Sequence, residues 1–453
     1  MKSPLLVEGV RRGPREDEES RVAHPAAATA VDAWDAAFAK WTMSAILMFS
    51  FMDRYIVSAV KEDIKSDFGL DDYQTALPAT AMTFVFMVSA VLFGWLADQR
   101  IVKRKRVLAI GILVWSVATG LAGFAQNLPQ LIVMRSLVGV GEAAYGTISV
   151  PMLADIFPER DRPRVFLIYS LAVPLGGALG FALGSVTSSS FGWRNAFLIC
   201  GLPGSVMALI VLWVKDPADF PAPCTPSVIL HRSLSRPTSG PLQKTVNDFR
   251  DILTNSTFMV VTAGLVCICF ALGGFADFIE SFFIRYQHSS QVEAGLVIGG
   301  ITVFGGISGS ALGKVAANHY ADRCHNAFLL VPALFAISGS FCALVCVNHA
   351  GDKLLGYAMF FAAQTLIWTY SVPTTCVTLA AVEKPLRAQA CGLQIFLTHA
   401  LGDVVSPPII GLISDKDGGL QSGLQICWVA VLVAGLVWLA GWWKLTPLSR
   451  ETQ

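Results

Sequence analysis

Hydrophobic and polar positions follow one another along this chain in long blocks. Apolar segments recur at about residues 41–60, 75–97, 106–126, 129–153, 164–187 and 194–214, and a second series follows at 257–282, 294–317, 327–347, 354–381, 388–413 and 424–444. A helix needs about 20 consecutive apolar residues to cross a bilayer core, so the pattern predicts twelve crossings in two sets of six. The polar blocks set the boundaries. Residues 1–40 carry Arg11, Arg12, Arg15, Arg21 and the acidic run Glu16 to Glu19 without a central apolar stretch, and read as a solvated tail rather than a signal peptide. Residues 215–256 hold Pro217, Pro221, Pro223, Pro226, Pro237 and Pro241 with several serines, a composition that reads as a linker. The expected fold is an all-α membrane protein of twelve transmembrane helices in two six-helix bundles, 41–214 and 257–444, with a short tail at 445–453.

Composition agrees with this pattern. The chain has 453 residues, 54% of them hydrophobic and 14% charged, against about 25% charged in soluble domains. A net charge of +1 without a basic stripe argues against a nucleic-acid partner. The ten cysteines fall in the apolar segments or in polar stretches on the side of the linker, and Cys267-Ile-Cys269 lacks zinc spacing, so buried free thiols and no metal are expected. There is no GxSxG elbow, P-loop, HExxH or glycine-rich strand-turn-helix fingerprint. The chain is read as no enzyme and as needing no cofactor, so any accumulation would draw on ion gradients.

Lys and Arg distribution orients the spans. With the termini and linker on one side, 25 basic residues fall there and 6 on the other, which predicts cytoplasmic termini. Arg54 and Arg135 fall inside spans and have no topological explanation.

A faint internal repeat relates the two halves. Phe51-Met52-Asp53 in span 1 aligns with Phe275-Ala276-Asp277 in span 7, and the loops after spans 2 and 8 carry Asp98/Arg100 and Asp322/Arg323. Span 5 has Pro174, Gly176, Gly177, Gly180 and Gly184; its counterpart span 11 has Gly402, Pro407, Pro408 and Gly411. Duplicated halves with glycine-rich or interrupted helices are the architecture of a rocking transporter. The four-residue spacing of Gly176, Gly180 and Gly184 also serves close helix packing alone.

The chemistry lies in the ionisable residues at membrane depth. Each charge at a helix centre costs about 2.5–3.5 kcal/mol on insertion scales, so Asp53 and Arg54 of span 1 and Arg135 and Glu142 of span 4 must be paired, solvated or neutralised. Arg135 and Glu142 share a helix face but lie about 10 Å apart along the axis, too far to pair directly. Their partners must come from another helix, where Asp53 is the acid available in span 1. A carboxylate facing an arginine across a cavity can exchange a proton for a ligand's charge; a structural salt bridge is the alternative.

These residues also carry a resemblance. Phe51-Met52-Asp53-Arg54-Tyr55, the span 4 segment from Arg135 through Gly139, Gly141 and Glu142 to Tyr145, and His399-Ala-Leu-Gly402-Asp403-Val-Val-Ser406-Pro407 with Gly411-Leu-Ile-Ser414-Asp415 resemble the Spinster family of the major facilitator superfamily. The superfamily's gating pattern between spans 2 and 3 is similar here as Gly94 and Asp98 followed by Lys103, Arg104, Lys105 and Arg106, with Gln99 where a basic residue is usual. The resemblance implies secondary-active, alternating-access transport of an amphiphile, a lysophospholipid or sphingosine-1-phosphate-like lipid, with protons as a further partner, by a functional monomer in the plasma or an endosomal or lysosomal membrane. Substrate or proton coupling would fall to Asp53, Arg54, Arg135, Glu142, His399 and Asp403, with Tyr55, Tyr145, Asp277 and Glu280 as additional cavity residues and Gly94, Asp98 and Arg104 as the gating motif. Two alternatives stay open: a superfamily transporter of small organic anions or sugar phosphates, and a receptor or scaffold without flux.

Overall fold

The structure, a computed structural model, describes residues 32–98, 103–158, 160–217, 241–324, 326–349, 351–383, 386–416 and 418–445. Twelve spans follow in order. Span 1 is Ala33–Ala59, continued after a 49° bend by Lys61–Phe68. Spans 2 to 6 are Asp72–Asp98, Arg104–Ala122, Leu128–Ile156, Arg162–Phe191 and Trp193–Ile210. Spans 7 to 9 are Ser256–Tyr286, Gln291–Ala321 and Ala327–Asn348. Span 10 is Lys353–Trp368 with Ser371–Ala381; span 11 is Arg387–Thr398, His399–Asp403 and Ser406–Lys416; span 12 is Leu420–Lys444. No strand occurs among the described residues. Large apolar side chains such as Leu202, Phe304 and Leu354 point outward, as they do where lipid is the solvent. This is a multi-pass integral membrane protein.

Several boundaries differ from the sequence expectation. The tail read as 1–40 ends earlier, because span 1 begins at Ala33: Ala39 is buried, and Asp35 in the first turn pairs with Lys215 at 2.7 Å. That hydrogen bond raises the pKa of the Lys215 ammonium above its usual range. The linker read as 215–256 is not irregular throughout. Pro241–Thr254 forms a helix, and its Ile252 is buried with Phe258, Val382 and Ala390. Span 11 changes pitch at His399–Asp403, a single wide turn, where Gly402 lies against Cys269 and the backbone of Val266 and Phe270. Such bulges accommodate an extra residue per turn and re-aim side chains.

Within the first bundle the span 5 glycines do the packing read for them. A Cβ at Gly176 would strike the Met48 carbonyl and Phe51, one at Gly180 the Met52 carbonyl and Tyr55, and one at Gly184 the Ala59 side chain. Span 1 therefore lies directly on span 5, which holds Asp53 and Arg54 against span 4.

On the side away from the linker, the two bundles are bonded together. Arg285 pairs with Glu62 at 2.7 Å and Asp72 at 2.9 Å. The Asp415 carboxylate accepts from the backbone N–H groups of Asp72 (3.0 Å) and Tyr73 (2.9 Å), so an acid of span 11 caps span 2. Gln291 donates to the Ala59 carbonyl at 3.0 Å and to Asp63 at 2.7 Å. The far side of the molecule is closed.

Candidate functional site

Spans 1 and 4 bring the four membrane-depth charges of the first bundle together as two pairs. Arg135 Nη1 donates to Asp53 Oδ2 at 2.9 Å. Arg54 reaches Glu142 through both Nε (2.9 Å) and Nη2 (2.6 Å), and Ser50 Oγ donates to the other Glu142 oxygen at 2.8 Å. Neighbouring residues on a helix are offset by about 100°, so Asp53 and Arg54 leave span 1 in different directions. The long arginine arm lets Arg54 reach Glu142 while Asp53 meets Arg135 two turns away. Two guanidinium and two carboxylate groups make the network neutral when every acid is ionised.

The pairs differ in depth. Arg135 is 0% exposed and is wedged beside Met82 Sδ, whereas the Arg54 side chain is 23% exposed and lies over the rings of Phe51 and Phe86. Sequence reasoning put both arginines forward for coupling; the geometry makes Arg54 the reachable guanidinium and Arg135 the one behind it. Asp53 Oδ1 and Arg135 Nε have no hydrogen-bond partner.

From the second bundle, span 11 turns His399 and Asp403 toward the same place. His399 Nδ1 lies 2.8 Å from Asp403 Oδ2, and the Asp403 carboxylate is close enough to act electrostatically on both Arg54 and Tyr55. Tyr55 packs on Phe181 with ring centroids 5.0 Å apart. Tyr145 sits elsewhere: it is buried edge-on against Trp115, and its hydroxyl donates to the Met43 carbonyl. It braces spans 1 and 4.

Asp277 and Glu280 are not in this central group. They belong to the far-side closure, where Asp277 pairs with Lys61 and Glu280 with Ser185. Lys61 is the residue that sequence reasoning missed. Counted as a loop lysine, it is 1% exposed, with its ammonium 3.8 Å from the centre of the Phe278 ring. One signal was available: Asp277, an acid in an apolar span, demands a cation, and Lys61 directly follows span 1.

Of the gating motif, Gly94 and Asp98 lie in the last turns of span 2, and the Asp98 side chain is outside what the structure describes. Arg104 is described. It donates to Asp155 at 2.7 Å and to Asp216 through Nε at 2.9 Å, tying the linker-side ends of spans 3, 4 and 6 together within one bundle.

The sequence profile of the Major Facilitator Superfamily matches residues 43–398. The chain is 31% identical over 387 residues to Protein spinster homolog 1 of Xenopus tropicalis, covering 82% of this chain and 71% of that protein. The chain belongs to the Spinster family of the major facilitator superfamily. It is also 29% identical over 414 residues to Protein spinster of Drosophila melanogaster, covering 85% of this chain and 65% of that protein, so it spans just under two thirds of that relative's length. A sphingosine-1-phosphate transporter of Danio rerio is 29% identical over 426 residues, 87% of this chain and 81% of that protein. The fold matches the crystal structure of a bacterial homologue of the human lysosomal transporter Spinster in an inward-facing, occupied conformation, with TM-score 0.75, 18% identity and coverage of 90% and 97%.

The end of the span 11 motif has a physical reason in this chain. Gly411 lets the backbone of Asp72 and Tyr73 approach, Ser414 donates to Asp72, and Asp415 caps span 2. The Gly411 to Asp415 end of the motif therefore closes the far side, while His399 and Asp403 at its start lie with the central group.

Proposed function

We propose that this protein is an alternating-access transporter of amphiphilic lipids with an anionic or zwitterionic headgroup, of the lysophospholipid or sphingosine-1-phosphate kind, driven by proton coupling. The observation that carries this reading is the pair of ion pairs at membrane depth, Asp53 with Arg135 and Arg54 with Glu142, one of them reachable. Similarity to a sphingosine-1-phosphate transporter supports the choice of cargo, and the excess of basic residues on the linker side supports cytoplasmic termini.

Arg54 would hold the headgroup, competing with Glu142 for its guanidinium through paired N–H donors. His399 and Asp403 face the same headgroup from the other bundle, so its binding acts on both halves at once. Asp53 would take the proton. A proton added to the neutral network leaves it at +1, and the freed charge of Arg135 lies directly behind the Arg54 contact. Protonating Asp53 therefore strengthens binding of an anionic headgroup, and the proton and lipid enter together.

The test is purified protein in liposomes, assayed for uptake of a panel of lysophospholipids, sphingoid phosphates and small organic anions, with and without a pH gradient. Lipid uptake that grows with the gradient is expected. Asp53→Asn carries the +1 state permanently: lipid binding should persist, its pH dependence flatten and gradient-driven uptake fall at least tenfold. Uptake of small anions alone overturns the lipid reading, and binding without flux of any of them overturns transport.

A further inference from the structure

Glu280 is a buried acid that the central network does not use. It is 1% exposed, and its Oε2 has no hydrogen-bond partner. The cations of the surrounding cluster go elsewhere: Lys61 to Asp277, Arg285 to Glu62 and Asp72, and Lys65 to Asp72. A carboxylate buried this deeply with no cation paired to it is held in its neutral form.

Its one hydrogen bond says where the proton is. Ser185 Oγ lies 2.7 Å from Glu280 Oε1 and also 2.7 Å from the Phe181 carbonyl oxygen. A hydroxyl has one hydrogen to donate, and a carbonyl oxygen can only accept. With the single Ser185 hydrogen on the Phe181 carbonyl one turn back, the equally short contact to Glu280 Oε1 is satisfied when the acid itself carries a hydrogen. We infer that Glu280 is a proton-binding site that fills when the far side closes, with its carboxylic acid donating to Ser185 across the seam between spans 7 and 5.

Glu280 and Ser185 belong to different bundles, so opening of the far side parts them. Water then reaches the acid and it ionises. The charges that face it favour this order. Asp63 and Glu62 of the span 1 extension act on it as like charges; Asp63 is held by Ser188 and Gln291, and Glu62 by Arg285. Tyr357 of span 10 is neutral and donates to Ser289, Glu293 of span 8 pairs with Lys353, and Asp277 on the same helix is matched by Lys61. The closed far side thus binds one proton more than the open one. By linkage, closure is favoured as the far-side pH falls and is lost as it rises, by up to about tenfold per pH unit. The proton enters and leaves by the same side, so Glu280 sets which side is open and carries no proton across. This inference rests on the alternating access proposed above, but its test uses no substrate.

Two measurements on the full-length purified protein decide it. Infrared spectroscopy should show a carboxylic-acid carbonyl band at neutral pH that is lost in Glu280→Gln. Hydrogen–deuterium exchange of residues 61–68 and 181–191, corrected for the intrinsic pH effect, should slow with acidification in the wild type. Glu280→Gln, whose amide can still donate to Ser185, should lower that pH slope by about one proton and leave the segments protected. Ser185→Ala should raise far-side exchange severalfold at acidic pH. An unchanged carboxylic-acid region in Glu280→Gln, or an unchanged pH slope, overturns the inference, and neither result bears on whether lipids are transported.

Discussion

Asp53 and Asp277 hold matching places in the two halves of the chain, after Phe51-Met52 and Phe275-Ala276, yet they have opposite kinds of partner. Asp53 bonds to Arg135 inside its own bundle, whereas Asp277 bonds to Lys61 of the other. If the bundles rock as rigid bodies, the first pair travels intact through the cycle and the second is broken and remade each time. Position in the repeat therefore does not decide role. A pair within a bundle can store a proton or ligand charge at either stage of transport, while a pair between bundles reports which side is closed.

The largest expected effect breaks the first pair. Arg135→Ala leaves Asp53 buried without a counter-charge, which costs about 3–5 kcal/mol. Thermal unfolding in detergent should drop sharply, and the double variant Asp53→Asn with Arg135→Gln should recover much of the stability without recovering transport. Lys61→Met should behave differently, because opening the far side hydrates the stranded Asp277. A Lys61→Met protein as unstable as Arg135→Ala would erase the distinction between the pairs.

Next comes the cross-bundle pair itself. Asp277→Asn leaves Lys61 facing a neutral partner only while the far side is closed, so the population should move toward far-side opening. The expected shift is on the order of tenfold, within the usual range of conformational coupling. Faster hydrogen exchange at residues 61–68, with the melting temperature little changed, is the signature. The same substitution at the matching acid, Asp53→Asn, should leave that exchange nearly untouched.

A smaller effect is expected at the reachable guanidinium. Arg54→Lys keeps the charge but loses the two-pronged grip on Glu142 and on a headgroup, since an ammonium is a point donor. Lipid affinity should fall about tenfold, with fold stability within about 1 kcal/mol of wild type because Ser50 still holds Glu142. If affinity were unchanged while Arg135→Lys abolished it, the roles assigned to the two arginines would have to be exchanged.

Much of this was legible in the order of residues, and what was not has a common cause. Twelve apolar blocks announce twelve spans, because lipid leaves the backbone few alternatives to a helix. That Arg135 needs a partner from another helix also followed from distance, since Glu142 is two turns away, and Asp53 is the acid that span 1 offers. Depth did not follow: exposure of Arg54 and burial of Arg135 depend on which helix lies in front, which one chain's pattern does not state. Lys61 was hidden because a lysine one residue past a span looks like an interfacial loop residue until the second bundle closes over it. Tyr145 looked like cavity lining for the converse reason. Its neighbour Glu142 faces span 1 near the centre, whereas the Tyr145 hydroxyl is used up on the Met43 carbonyl. Contacts between bundles are tertiary and conformation-dependent, so local pattern carries them least.

The smallest expected effect lies at the linker-side starts of spans 1 and 7, where the halves differ again. Asp32 makes no side-chain cap on span 1, but Asn255 caps span 7, accepting from Phe258 N–H at 2.9 Å and donating to the Ala381 carbonyl at 2.7 Å. Asn255→Ala removes both bonds and should cost about 1 kcal/mol, against a few tenths for Asp32→Ala. Asn255-Ser256-Thr257 is also an N-glycosylation sequon, so the same residue tests orientation. With the linker in the cytoplasm, Asn255 is never presented to the glycosylation machinery, and glycosidase treatment of the membrane-inserted protein should leave its mobility unchanged. A side chain engaged at both ends of its amide would be a poor acceptor on either side, so an unmodified Asn255 does not by itself fix the orientation. The decisive companion is Ser66→Cys on the exposed face of the span 1 extension, which a membrane-impermeant thiol reagent should label on intact cells or from the lumen of an organelle. A glycan on Asn255, or labelling of Ser66→Cys from the cytoplasmic side alone, reverses the orientation and with it the side on which Glu280 takes up its proton.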